Sequence, residues 1–117
     1  MKTFLAIYLG TEDAMSDWNR LPEAERERRQ HEGTARWRAW AEHHAASIVD
    51  YGGPLGRTKA VSAAGIADVR NAMAAWVIVR ADSHEHAARM FEGHAHFTLF
   101  PGQSVEIMEC LPMPARS

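Results

Sequence analysis

The segment Trp37–Leu55, WRAWAEHHAASIVDYGGPL, decides how the chain folds. Apolar or small residues recur at Trp37, Trp40, Ala41, Ala45 and Ile48, the spacing of one helix face. Two tryptophans on one stripe cover a large apolar surface, so this helix is expected to lie across a sheet. Gly52-Gly53-Pro54 then acts as a stop, because glycine tolerates a left-handed cap and proline cannot continue a helix. Working back, Leu21-Pro22-Glu23-Ala24-Glu25 reads as the start, with proline in the first turn and acids at the positive end. The expected helix therefore runs from Pro22 to about Tyr51. Gly33, one turn before Trp37 on the stripe, is either a close-approach position or a kink.

Outward from this helix, Phe4–Leu9 reads as a strand with apolar groups on both faces. Thr11–Arg20 reads as a polar connection with a short helical turn near Met15–Trp18. Downstream, Gly56–Ala63 is a mixed sequence suited to a sheet edge, Ala64–Asp68 a loop, and Ala72–Ala81 a central strand. Asp82 and Glu85 have capping-box spacing for a second helix that runs to about Glu92 and buries Ala87, Met90 and Phe91. Gly93 fits its C-terminal cap. An aromatic-rich loop, His94–Gly102, leads to a fourth strand at Ser104–Cys110 and an irregular tail over 111–117.

That order, with right-handed crossovers, gives an α+β, ferredoxin-like βαββαβ fold: one antiparallel sheet with two helices on one face. Phe4, Ala6, Trp76 and Ile78 leave the central strands no polar face. The second face is therefore expected to be buried by sheet-to-sheet pairing into a homodimer, a dimeric α/β barrel.

Composition narrows the class. A chain of 117 residues, 46% hydrophobic and 24% charged, is expected to form one globular domain over its whole length. Its net charge of −2 argues against nucleic acid as the main partner. The basic residues Arg26, Arg28 and Arg29 alternate with Glu23, Glu25 and Glu27, as on a solvated helix face laced with ion pairs. A single cysteine, Cys110, excludes an internal disulfide and reads as a buried strand residue. The apolar start Phe4–Leu9 is explained by a strand better than by a signal segment, and no run is long enough to span a bilayer. A cytoplasmic location is expected.

The pieces KTFLAIY, WRAWAEHH, IVDYGGPLGRTK, SHEHAARMFEGHAHF and FPGQSVEIMECLP, in this order and spacing, resemble the YCII-related family. The resemblance covers most of the chain and implies a dimeric α/β barrel with a cleft between sheet and first helix. Some members are similar to enzymes that eliminate halide from a chlorinated hydroxyquinone with a His–Asp pair. That pair has no clean counterpart here, so the activity is not carried over. His31, in the matching part of the first helix, is kept as a ligand-binding candidate.

Among the residues themselves, His94 and His96 are the sharpest catalytic candidates. Two apart in an extended segment, they would present both imidazoles to one ligand. The alternative is that one of them caps the second helix. His44 falls on the helix stripe, either as a core histidine satisfied by a carbonyl or as a general base in a partly apolar cleft. Asp50, poorly placed against a helix dipole, either pairs with Arg57 or Lys59 or orients a histidine. Tyr8 and Trp37 are candidates to line a pocket for a ring-shaped ligand, or are simply core. His84 and His86 are expected to be exposed. A metal site from His94, His96 and Glu106 or Glu109 lacks the helical ligand spacing that would support it, so no metal is expected. No glycine-rich phosphate loop or serine elbow is present, and no cofactor is expected.

The function this supports is binding of a small organic molecule, aromatic or carboxylic, in a cleft beside the first helix. If catalytic, it would be a histidine-based elimination or isomerisation. The competing reading is a non-catalytic dimeric module, supported by the lack of a complete catalytic constellation.

Overall fold

Alternation along the first strand decides which side of the sheet becomes the core. Phe4, Ala6 and Tyr8 are buried, while Leu5, Ile7 and Leu9 stay half-exposed. The computed structural model describes residues 1–114, so the end of the expected tail and of the expected 1–117 domain lies outside the described residues. In chain order the elements are β1 (Lys2–Leu9), α1 (Glu12–Arg20), α2 (Glu23–His43), a 3-10 turn (Ala45–Ser47), β2 (Ile48–Pro54), β3 (Thr58–Ser62) and β4 (Gly65–Val69). There follow β5 (Met73–Ala81), α3 (His84–Arg89), α4 (Ala95–Thr98) and β6 (Ser104–Glu109). The main sheet has the order β2-β5-β1-β6, antiparallel throughout, and β3 pairs only with β4 as a separate hairpin. Without that hairpin the order is the ferredoxin-like one, and the fold is α+β as expected.

Register assigns the faces. Phe4 lies opposite Val79, Ala6 opposite Val77 and Tyr8 opposite Ala75. These residues meet Trp37, Trp40 and Ala41 of α2 and Ala87, Met90 and Phe91 from the α3 region in one core. Leu5 opposite Ile78 and Ile7 opposite Trp76 form the other face. Phe4 and Ala6 lie on the helix-covered face, and Trp76 and Ile78 on the other, so the central strands have no polar face. The open face is apolar through Leu5, Ile7, Trp76 and Ile78, all half-exposed.

The first long helix is shorter than expected. It spans Glu23–His43, with Pro22 just outside at the N-cap position. A 3-10 turn follows, and Ile48 enters the core from strand β2 instead of from the helix stripe. The β-branched pair Ile48-Val49 explains the switch, since such side chains suit a pleated strand better than a helix. The expected edge strand 56–63 is β3 of the separate hairpin, and part of the expected loop 64–68 is its partner β4. Thr11–Arg20 holds a full helix, α1, whose N-cap Thr11 accepts from the Ala14 amide at 3.1 Å. The N-cap of α3 is Ser83, not Asp82, and its hydroxyl accepts from the His86 amide at 3.0 Å. Cys110 is exposed, just beyond the end of β6, and not buried as expected.

Two glycines mark close approaches. Gly33 is buried in an unbroken α2, and a Cβ there would come within 2.6 Å of the Phe100 ring. It is a close-approach position and not a kink. Gly52, at φ +61 within the irregularity between Asp50 and Gly53 in the β2–β5 pairing, would drive a Cβ into the Trp76 carbonyl. Its neighbour Gly53 has open space around it and no positive φ. Gly52→Ala should therefore cost at least about 2 kcal/mol, and Gly53→Ala should stay within about 0.5 kcal/mol of wild type. Urea unfolding of both variants checks this. Equal effects would contradict the β2 register.

Candidate functional site

The site is built where the chain turns out of α3 and back to β6. Gly93, at φ +67, reverses the backbone, and His94 becomes the N-cap of α4. Its Nδ1 accepts the His96 amide N–H at 3.0 Å. An amide can only donate, so in the neutral ring the proton sits on Nε2, and Nε2 faces the Tyr8 Oη at 3.4 Å. That is a long hydrogen bond, in which Nε2–H donates to the phenol oxygen.

Aromatic rings enclose His94. Centroid distances are 4.5 Å to Trp37, 4.8 Å to Trp40, 5.2 Å to Tyr8 and 6.0 Å to Phe91. Trp40 is itself fixed by an indole N–H donated to the Met90 carbonyl at 2.6 Å. His94 is 3% exposed, and burial pushes its pKa down to about 4, with His96 and His44 adding repulsion. The same burial pushes the Tyr8 phenol up, so both groups are neutral at pH 7.

His96 is held differently. Its Nε2 lies 2.7 Å from the Leu9 carbonyl, which can only accept, so here too the proton is on Nε2. Burial lowers its pKa, and the carbonyls of Leu9 and Ser104 partly oppose that shift. Gly102 packs against the ring so closely that a Cβ there would collide with it. The Gly102 amide also donates to the His96 carbonyl at 3.0 Å.

Two cavities meet at Trp37. One, of about 300 Å³, lies among Tyr8, Trp37, Trp40, Tyr51 and Pro54. The other, of about 1890 Å³, is bounded by α1, α2, the β3–β4 hairpin and the 100–102 turn, and His96 and Phe100 line it. Tyr8 packs against Trp37 with the rings tilted, centroids 4.7 Å apart, and the indole forms a wall shared by an apolar pocket and a wider cleft.

The candidates read from sequence divide sharply. Tyr8, Trp37, His94 and His96 converge, with Tyr8 5.1 Å from the His96 ring as well. The two histidines do not present both rings to one ligand, because residues 95–98 are helical and not extended. His94 caps α4, not the preceding helix. His44 sits half-buried at the C-cap of α2, 5.2 Å from the Trp40 ring, and lines neither cavity. Burial, His43 and His86 lower its pKa. Asp50 is exposed on β2 in the row of Ile78, the face away from the helices, and accepts from the Gly52 amide at 2.9 Å. It meets no histidine, and Lys59 pairs instead with Asp68 at 2.6 Å. His31 is exposed, off the buried stripe of α2, and lines neither cavity. Glu106 lies opposite Ile7, on the open face, so it cannot join His94. No group of three or more His, Cys, Asp or Glu suited to a metal occurs among the described residues. Phe100, which packs 6.0 Å from Trp37, and Arg38 were not singled out from sequence. The F-P-G turn that places Phe100 was the available signal.

No family model matches the chain, and no curated protein does. Among solved structures it is similar to 5-chloro-2-hydroxyhydroquinone dehydrochlorinase from Burkholderia phenoliruptrix AC1100, determined in complex with 2,5-dihydroxybenzoquinone. The TM-score is 0.53 at 15% identity, over 91% of this chain and 90% of that one. At that identity the likeness is one of fold alone. No helix among the described residues is long and apolar enough to cross a membrane.

His94 makes stability depend on pH. Its folded pKa of about 4 lies below the value of 6.5 for a free histidine, so between those values the unfolded chain binds more protons. Stability is then complete above pH 6.5 and falls as pH drops toward 4. His94 alone should remove about 2 kcal/mol between pH 7 and pH 5. Urea unfolding at the two pH values should show that loss in wild type and a smaller one in His94→Gln, whose amide oxygen can still accept from the His96 N–H. A wild-type stability that is flat across this interval would contradict a neutral, buried His94.

Proposed function

We propose that the chain binds a small aromatic molecule against Trp37, in the cleft between the sheet and α2, as a YCII-like protein. The observation that carries this reading is Trp37 itself, an indole walling two cavities, with Tyr8 packed against it and neutral His96 lining the larger one. A planar ligand finds aromatic faces and a small number of fixed polar groups there, the usual make-up of a small-molecule site. The structural neighbour was solved with a quinone bound, which makes hydroxylated rings the first ligands to try.

In the catalytic form of this reading, His96 is the base. With its proton held on Nε2 by the Leu9 carbonyl, Nδ1 is the basic atom. A neutral imidazole in that state can take a proton in an elimination or isomerisation. The Tyr8 hydroxyl, whose oxygen accepts from His94, keeps its own proton available for donation. The second reading is a binding module, and one observation favours it: each of the two imidazoles already spends one nitrogen on the main chain, and neither is paired with a carboxylate. The apolar open face of the sheet supports a homodimer in either case.

Isothermal titration with 2,5-dihydroxybenzoquinone, chosen for its planar hydroxylated ring, should give saturable binding at one site per chain. Trp37→Leu should weaken it by about tenfold, the scale of one lost aromatic contact. Sedimentation of the same samples should give a dimer. Absence of binding by wild type to this and to simple hydroxylated benzenes would remove the ligand reading, and a monomer would remove the pairing. If ligands bind but are never turned over at any pH, the binding module is the correct form.

A further inference from the structure

The larger cavity is positive in a chain whose net charge is −2. Arg38 from α2, Arg57 ahead of β3, Lys59 in β3 and Arg70 after β4 line it, against the two acids Glu12 and Asp68. Lys59 is occupied by Asp68 at 2.6 Å, and Arg70 lies 3.8 Å from Glu12. Arg38 and Arg57 have no acid within ion-pair distance among the described residues and are exposed. The contrast within α2 is informative. Arg28, Arg29 and Arg36 are paired to Glu25 or Glu32 and Arg26 donates to the Asn19 and Leu21 carbonyls, whereas Arg38, one residue after Trp37, has no acid beside it at the cavity.

The same lining carries the aromatic rings of Trp37 and Phe100, and that of His96, whose pKa burial lowers. Two uncompensated arginines from separate elements, in one cavity with aromatic rings, suit a ring bearing a negative group. Arginine, with its planar fork of donors, matches a carboxylate in geometry as well as in charge. A neutral aromatic would leave both charges unused, and an aliphatic anion would leave the indole uncovered.

We infer that the ligand of the larger cavity is an aromatic carboxylate, its ring on Trp37 and Phe100 and its acid group drawn by Arg38 and Arg57. This rests on the reading that a small aromatic molecule binds beside α2, and it adds the charge and the residues that select it.

The test compares 4-hydroxybenzoate with 4-hydroxybenzamide, equal in shape and differing in charge, by titration calorimetry on the full chain. The acid should bind at least about tenfold more tightly than the amide, and the gap should close as salt is raised. Arg38→Gln and Arg57→Gln should each weaken the acid by roughly fivefold and leave the amide unchanged. Both side chains are exposed, so folding is not at stake. If acid and amide bind equally, the aromatic cleft stands and the charge selection falls. A preference for the acid that survives both substitutions places the carboxylate elsewhere and overturns the assignment. If neither compound binds while 2,5-dihydroxybenzoquinone does, the aromatic carboxylate is again rejected and the cleft retained. Failure of all three removes both.

Discussion

The arrangement depends on one buried imidazole. His94 accepts the His96 amide through Nδ1 and donates through Nε2 toward the Tyr8 hydroxyl, with tryptophans and Phe91 closed around it. A buried polar ring is tolerated only when its nitrogens are satisfied, and here one bond ties a local turn while the other ties that turn to the sheet. The reversal at Gly93 and the start of α4 follow from it. So does the position of His96, whose ring is then caught by the Leu9 carbonyl at the end of β1. Phe100, carried by the same turn, closes on the gap that Gly33 leaves in α2.

This node also sets the electrostatics. The aromatic enclosure that makes the core stable is what keeps the two histidines and Tyr8 neutral. The polar chemistry available beside Trp37 is therefore that of uncharged donors and acceptors. Formal charge enters in the larger cavity, where Lys59 and Arg70 have acids beside them and Arg38 and Arg57 do not. Neutral aromatic rings and unpaired arginines in one cavity divide orientation from attraction.

Much of this was legible in the sequence, and for identifiable reasons. The strands β1 and β5 announce themselves through apolar runs, and the Trp37–Trp40 stripe through its helical period. The prominence of His94 and His96 followed from their place in a loop between a helix and a strand, but not their burial among the core aromatics. The end of α2 was hidden because Ala45 and Ile48 continue the helical spacing, although Ile48 reaches the core from a strand. That one error moved Asp50 from a helix end to an exposed row of the sheet and dissolved its pairing with a histidine. The strand β3 was legible, but its pairing with β4 in a separate hairpin was not, because Val61 and Ile66 are exposed and give no burial pattern to read. The roles of the two histidines turned on whether residues 95–98 are extended or helical. Only the capping bond from the His96 amide to His94 decides that.

The measurement that bears most directly on this account is the nitrogen NMR of the imidazole rings in protein labelled at histidine, followed from pH 7.5 downward. The account predicts that His94 remains neutral with its proton on Nε2, its Nδ1 showing the shift of an accepting nitrogen, and that it titrates only near pH 4. A His94 ring that carries its proton on Nδ1, or that titrates near the ordinary histidine value of about 6.5, would contradict it. In that case the turn, the cavity wall and the neutral site would need a different origin.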